Sequence, residues 1–219
     1  MISGDRPTYL LSLVSLAGIS ALLSFALWPV FLTSLGREWG LSNTDIGFVS
    51  GTYFLGYLLA TPILVGLTDR IDARLIFLGG CAFGVVGCLG FALLASDFWS
   101  AASCWTLVGA GLAGTYMPGL QILNARLDDA ARVRSVPWYT ACFGIGTGTS
   151  FALMGVLLAY ADWRLAAYLG AGGAMLAALL LLFLVQSWPV RPFPASKTTA
   201  HPSGLRPAFP NPAPPAVTR

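Results

Sequence analysis

The sequence predicts an all-α integral membrane protein: six transmembrane helices followed by a disordered tail. Two observations carry this prediction. Hydrophobic residues make up 56% of the 219 positions and charged residues 10%, with a mean hydropathy of +0.75. A soluble domain carries about 25% charged residues. So few charges cannot cover a water-facing surface, so lipid must be the solvent. The apolar residues are also gathered into six runs, at 9–35, 46–67, 75–95, 98–123, 138–160 and 165–185. Each approaches or exceeds the roughly 20 residues that a helix needs to cross a bilayer. No Asp, Glu, Lys or Arg interrupts a run; all nine acidic and twelve basic residues lie between or beyond them.

Span one, 9–35, exceeds the roughly 7–15 apolar residues of a signal peptide and is read as the first membrane helix. The turn at 36–45 leads into span two. There Ser42 and Asp45 have the spacing of a capping box, in which each side chain satisfies a free backbone N–H at the helix start. Pro137 just precedes span five and suits a helix start, where its missing donor is not needed. Trp39, Trp99, Trp138, Trp163 and Trp188 fall near span ends, as interfacial anchors should. From Pro189 onward nine prolines crowd the chain. The expected organisation is a six-helix unit at 1–188 and a disordered cytoplasmic tail at 189–219.

With the N-terminus placed inside, ten Lys and Arg lie on the cytoplasmic side and two, Arg37 and Arg164, outside. Without the tail the ratio is six to two. The positive-inside rule therefore places both termini in the cytoplasm.

Several chemistries find no candidates. The sole histidine, His201, is in the tail, and Cys81, Cys88, Cys104 and Cys142 sit inside apolar runs. Small packing residues describe those cysteines better than metal ligands. No His, Asp or Glu lies in a span, so general-base catalysis has no player there. The sequence therefore predicts neither an enzyme nor a metal or cofactor protein. The net charge of +3 comes from short loops and the tail, which points to topology rather than nucleic acid.

The loop after span two reads Gly66-Leu67-Thr68-Asp69-Arg70-Ile71-Asp72-Ala73-Arg74. Taken alone it is a basic, topology-fixing turn or a charge latch. It resembles the Gly-x-x-x-Asp-Arg-x-Gly-Arg-Arg pattern of the major facilitator superfamily. Asp69, Arg70 and Arg74 match. Val65 stands at the first glycine with Gly66 one residue late, while Asp72 and Ala73 replace the second glycine and the first paired arginine. Span four carries Gly109-Ala110-Gly111-Leu112-Ala113-Gly114-Thr115-Tyr116-Met117-Pro118-Gly119, similar to the glycine-rich fourth helix of bacterial members. Trp105 occupies a position where that helix usually has an arginine.

The resemblance covers about 9–185 and corresponds to the N-terminal six-helix half of such a transporter. It implies two inverted three-helix repeats and alternating access, with substrate held between two six-helix halves. It also implies that Gly66, Asp69, Arg70 and Arg74 form the latch loop, and that the protein lies in a bacterial inner membrane. The chain would be a fragment, a frameshift product, or a half that pairs with a second half or a second copy. The alternative is a six-helix membrane interaction protein that moves nothing.

Polar groups at membrane depth tend to face protein or a cavity. Ser24 and Trp28 in span one, Tyr53 and Tyr57 in span two, and Tyr116 and Gln121 in span four are candidates. Each either bonds to a neighbouring helix or lines a substrate path. The implied central cavity, lined by helices one and four, strengthens the case for Trp28, Tyr116 and Gln121. In span five, Gly144, Gly146 and Gly148 resemble a phosphate-binding loop by spacing. Inside an apolar span they are read as helix-packing residues instead. The transported solute itself is not legible.

Overall fold

The computed structural model describes residues 6–68, 70–127 and 129–187, and among them it is helical with no strand. The α-helices are α1 (Arg6–Ala21), α2 (Leu27–Glu38), α3 (Asn43–Leu67), α4 (Ala73–Leu94), α5 (Phe98–Arg126), α6 (Asp129–Tyr160) and α7 (Trp163–Ser187). A short 3-10 turn, Leu22–Ser24, joins α1 to α2. The expected tail, Trp188 and Asp69 lie outside the described residues.

Among the described residues five helical stretches are long and apolar enough to cross a membrane: Thr8–Glu38, Asn43–Leu67, Ala73–Leu94, Ala130–Tyr160 and Trp163–Phe183. The remaining expected run, 98–123, is the 29-residue α5. Its glycines, serines and threonines, with Gln121 and Asn124, dilute its apolarity. Those residues are tolerated because α5 packs between α3 and α4. Beyond that, α4 packs on α7, α7 on α1, and α6 along α1 and the 3-10 turn.

Missing side chains let the helices meet. A Cβ on Gly114 would stand 2.6 Å from the Gly80 Cα, and one on Gly111 would stand 2.8 Å from the Gly84 nitrogen. A Cβ on Gly109 would collide with the Tyr53 carbonyl, and one on Gly56 with that of Thr106. Backbones thus touch along both faces of α5, the close approach that small residues permit between membrane helices.

The helix starts follow local chemistry. Ser42 Oγ accepts from Asp45 N at 3.2 Å, and Asp45 Oδ2 accepts from Ser42 N at 2.9 Å, completing the expected capping box. Asp97 and Ser100 form a second box at the start of α5. The Ser100 side-chain and backbone bonds hold the Asp97 carboxyl below its ordinary range.

Two sequence expectations need correction. Pro137 does not begin span five; α6 starts at Asp129 and runs through Pro137. The ring removes one ladder bond, a loss that long membrane helices absorb. Span one is not one continuous helix either, but is interrupted at the Leu22–Ser24 turn. Pro29 supplies the reason: it has no N–H for the Phe25 carbonyl, and its ring crowds that carbonyl.

Candidate functional site

Two clefts of about 10 Å³ each, the room one water needs, open among the helices. The first is walled by Gly18 and Leu22 from span one, Leu112, Thr115 and Tyr116 from α5, and Tyr139, Cys142 and Phe143 from α6. None of these side chains is charged. The second shares Leu112 and Thr115 with the first and adds Ser24 and Tyr53.

Aromatic rings connect the clefts. Tyr116 stacks on Tyr139 at 5.9 Å between centroids and meets Phe143 edge-on at 5.1 Å. Phe143 meets Phe25 at 6.2 Å, and Phe25 meets Tyr53 edge-on at 5.6 Å. Tyr139 also donates its hydroxyl proton to the Tyr116 carbonyl at 3.2 Å. That carbonyl lies on the turn entering Pro118, and Gly119 leaves room for the Tyr139 hydroxyl. The strip therefore spans α3, the break in span one, α6 and α5.

The predicted path residues divide. Ser24, Tyr53 and Tyr116 line the clefts. Trp28 does not: it is fully buried, donates Nε1–H to Ser50 Oγ at 2.9 Å, and packs edge-on against Phe91. Tyr57, one turn beyond Tyr53, and Gln121 belong to neither cleft. Gln121 Oε1 and, one turn on, Asn124 Oδ1 are buried acceptors with no hydrogen-bond partner among the described residues. Such groups are costly to leave unpaired, which makes them candidates to meet a polar group of a solute.

Of the span-five glycines, Gly146 lies against Leu22 and Ile19, whereas Gly144 and Gly148 have open space at their Cβ positions. Tyr139, Phe143, Gly146 and Ser150 follow one another by four, three and four residues, so they share one face of α6. Sequence reasoning missed Tyr139, Phe143 and Phe25. The spacing on α6 was the available signal.

At the α3–α4 turn, Arg74 is 2% exposed. Its Nε donates to both Asp72 oxygens at 3.2 Å and its Nη2 stands 3.0 Å from Oδ2. Asp72 also caps α4 by accepting from Arg74 N at 2.9 Å. Partial burial alone would raise the Asp72 carboxyl. The backbone and side-chain bonds from Arg74, its charge and the charge of Arg126 bring it below its ordinary range. Gly66 has open space around it, and Arg70 N bonds back to the Leu67 carbonyl at 3.0 Å. Nearby, Arg132 Nη2 holds the Asn124 and Leu127 carbonyls at 2.8 and 3.1 Å, closing the end of α5.

Comparison with known proteins fits this helical bundle. The profile described as Major Facilitator Superfamily matches residues 13–216, which runs past Pro189 into the proline-rich stretch. The chain is 28% identical over 167 residues to "Probable sphingolipid transporter spinster homolog 1" of Arabidopsis thaliana, covering 73% of this chain and 31% of that protein. It is 27% identical over 161 residues to "Protein spinster homolog 1" of Mus musculus, covering 72% and 30%. The Bos taurus protein of the same name is 29% identical over 161 residues, with the same coverage. The chain thus spans about a third of the length of the curated relatives it matches.

Proposed function

Because the chain belongs to the major facilitator superfamily, we propose that it forms one half of a transporter that carries an apolar or amphipathic solute by alternating access. The family is one of transporters, not of enzymes. The single observation behind the solute class is the first cleft, walled by aromatic, leucine and small side chains with no charge among them. The Arabidopsis relative is named for sphingolipid transport, and a long-chain amphiphile suits such walls. Ser24, Tyr53 and Tyr116 line the path in this reading, and Gln121 offers a polar contact; Trp28 acts by holding span one in place.

Six spans follow when α1, the 3-10 turn and α2 count as one and α5 crosses with its neighbours. The packing supports a repeat. Exchanging spans one, two and three with four, five and six turns α4·α5 into α7·α1 and α3·α5 into α6·α1, and leaves α4·α7 unchanged. The Lys and Arg distribution favours cytoplasmic termini. The Asp69–Arg74 turn would then be a cytoplasmic latch in which Asp72 fixes Arg74.

The test is binding of a short-chain fluorescent sphingolipid to the purified chain in nanodiscs. Saturable binding that weakens about tenfold in Tyr116→Ala, with Trp99→Ala unchanged, is expected. Absence of saturable binding would remove the solute assignment. A second reading is a membrane interaction protein that moves nothing. A co-purifying partner without solute flux in that partner's presence would favour it.

A further inference from the structure

The break in span one is held by a residue of another helix. In a continuous helix Ala26 N would bond the Leu22 carbonyl. Here Phe25 N takes that carbonyl at 2.9 Å, in the tighter 3-10 manner. Ala26 has φ −91° and ψ 1°, outside the helical range. Its N–H instead donates to Ser150 Oγ at 3.0 Å, and Ser150 Oγ donates in turn to the Leu23 carbonyl at 2.7 Å. A hydroxyl carries one proton and two acceptor sites, so one side chain serves a donor and an acceptor released at the break. Ser150 is fully buried, and at membrane depth water is not there to serve these groups.

The surroundings are shaped to the break. A Cβ on Gly146, one turn before Ser150, would stand 2.8 Å from Leu22 Cδ1. From α7, a Cβ on Gly170 would stand 2.8 Å from Ser24 Cβ, and one on Gly173 2.5 Å from the Ser20 carbonyl oxygen. Phe25, one residue from the bridge, meets Tyr53, Phe143 and Phe151 at 5.6, 6.2 and 6.3 Å. Where the break is fixed, Phe25 is fixed over the aromatic strip.

We propose that Ser150 is a positioning residue for transport, a clasp that ties the break in span one to α6 and sets the place of Phe25. A movement of α6 against span one must exchange both hydrogen bonds, so the clasp also couples those elements. Its purpose rests on the transport reading, but its existence does not.

The experiment is amide hydrogen exchange on the intact chain in nanodiscs, comparing wild type with Ser150→Ala and Thr149→Ala. Thr149 Oγ1 bonds within its own helix, to the Ile145 carbonyl at 2.8 Å, so its loss is the control. Exchange across 22–30 should rise at least tenfold in Ser150→Ala, with α3–α5 unchanged and Thr149→Ala like wild type. Unchanged exchange there in a folded Ser150→Ala protein overturns the clasp. Should that variant fail to fold, the wild-type Ala26 amide decides: protection comparable to mid-α5 supports the clasp, and exchange at the rate of a fraying end overturns it. Sphingolipid binding by Ser150→Ala should fall at least fivefold. Wild-type protein with a protected Ala26 but no sphingolipid binding would defeat the solute assignment and leave the clasp standing.

Discussion

A glycine matters here according to what its absent Cβ would meet. Gly109 faces the Tyr53 carbonyl, a backbone atom that cannot swing aside, and a Cβ on Gly114 would stand 2.6 Å from the Gly80 Cα. Gly109→Ala and Gly114→Ala should each destabilise by about 1–3 kcal/mol, the usual cost of overpacking. Gly144→Ala and Gly148→Ala meet open space. They should leave stability unchanged or raise it by up to about 1 kcal/mol, because alanine is the better helix former. Thermal melting of the four variants checks the contrast, and equal losses in all four would defeat it. Charge follows the same local logic at Asp72. Its folded-state carboxyl is lowered, so its contribution is present above the unfolded value near 3.8 and is lost as pH falls through the folded value. Melting temperature should therefore drop below about pH 4 in wild type. Asp72→Asn should melt lower at pH 7 and show a shallower acid loss, since it leaves the buried Arg74 cation less well paired. An unchanged acid slope would mean that other carboxylates dominate it.

Elements differ in how plainly the sequence announces them. The five stretches that qualify as membrane-crossing were legible because nothing charged interrupts them, and α5 as a long helix for the same reason. Caps were legible where the donor and acceptor are three residues apart, as at Ser42 and Asp45. Ser42→Ala should cost about 1 kcal/mol, seen as a lowered melting temperature with an unchanged helical spectrum; no shift would mean that packing alone sets the start of α3. The two prolines differ. Pro137 resembles a start and lies inside α6, whereas Pro29 goes with a break in span one at Leu22–Ser24. The difference is tertiary: at the break the Ala26 N–H and the Leu23 carbonyl find Ser150, 124 positions away from Ala26, and no local pattern encodes those bonds. The candidate site was half legible for the same reason. Polar rings at membrane depth led to Tyr53 and Tyr116. The partners that turn them into a cleft, Phe25, Tyr139 and Phe143, come from other helices, and Trp28 looked like a lining residue because sequence cannot show which face is covered.

At the scale of the whole molecule, the helical bundle leaves much apolar surface uncovered. On α3, Phe48, Phe54, Leu58 and Ile63 are 59%, 65%, 67% and 69% exposed, and α6 is similarly bare over most of its apolar length. Lipid covers such faces without penalty, because tails are as apolar as leucine. Gln121 and Asn124 are a different matter: among the described residues their buried side-chain oxygens have no donor, and hydrocarbon cannot supply one. A second half or a second copy would cover the bare faces of α3 and α6. Association of that kind stabilises by mass action, by up to about 1.4 kcal/mol for each tenfold rise in the partner. For a chain of this size that is a shift of about 3–6 °C in melting temperature, and about half that for two identical copies. Melting in mild detergent should therefore be broad and rise by a few degrees per tenfold increase in protein. A sharp transition whose midpoint ignores concentration would mean that the helical bundle is a self-sufficient unit.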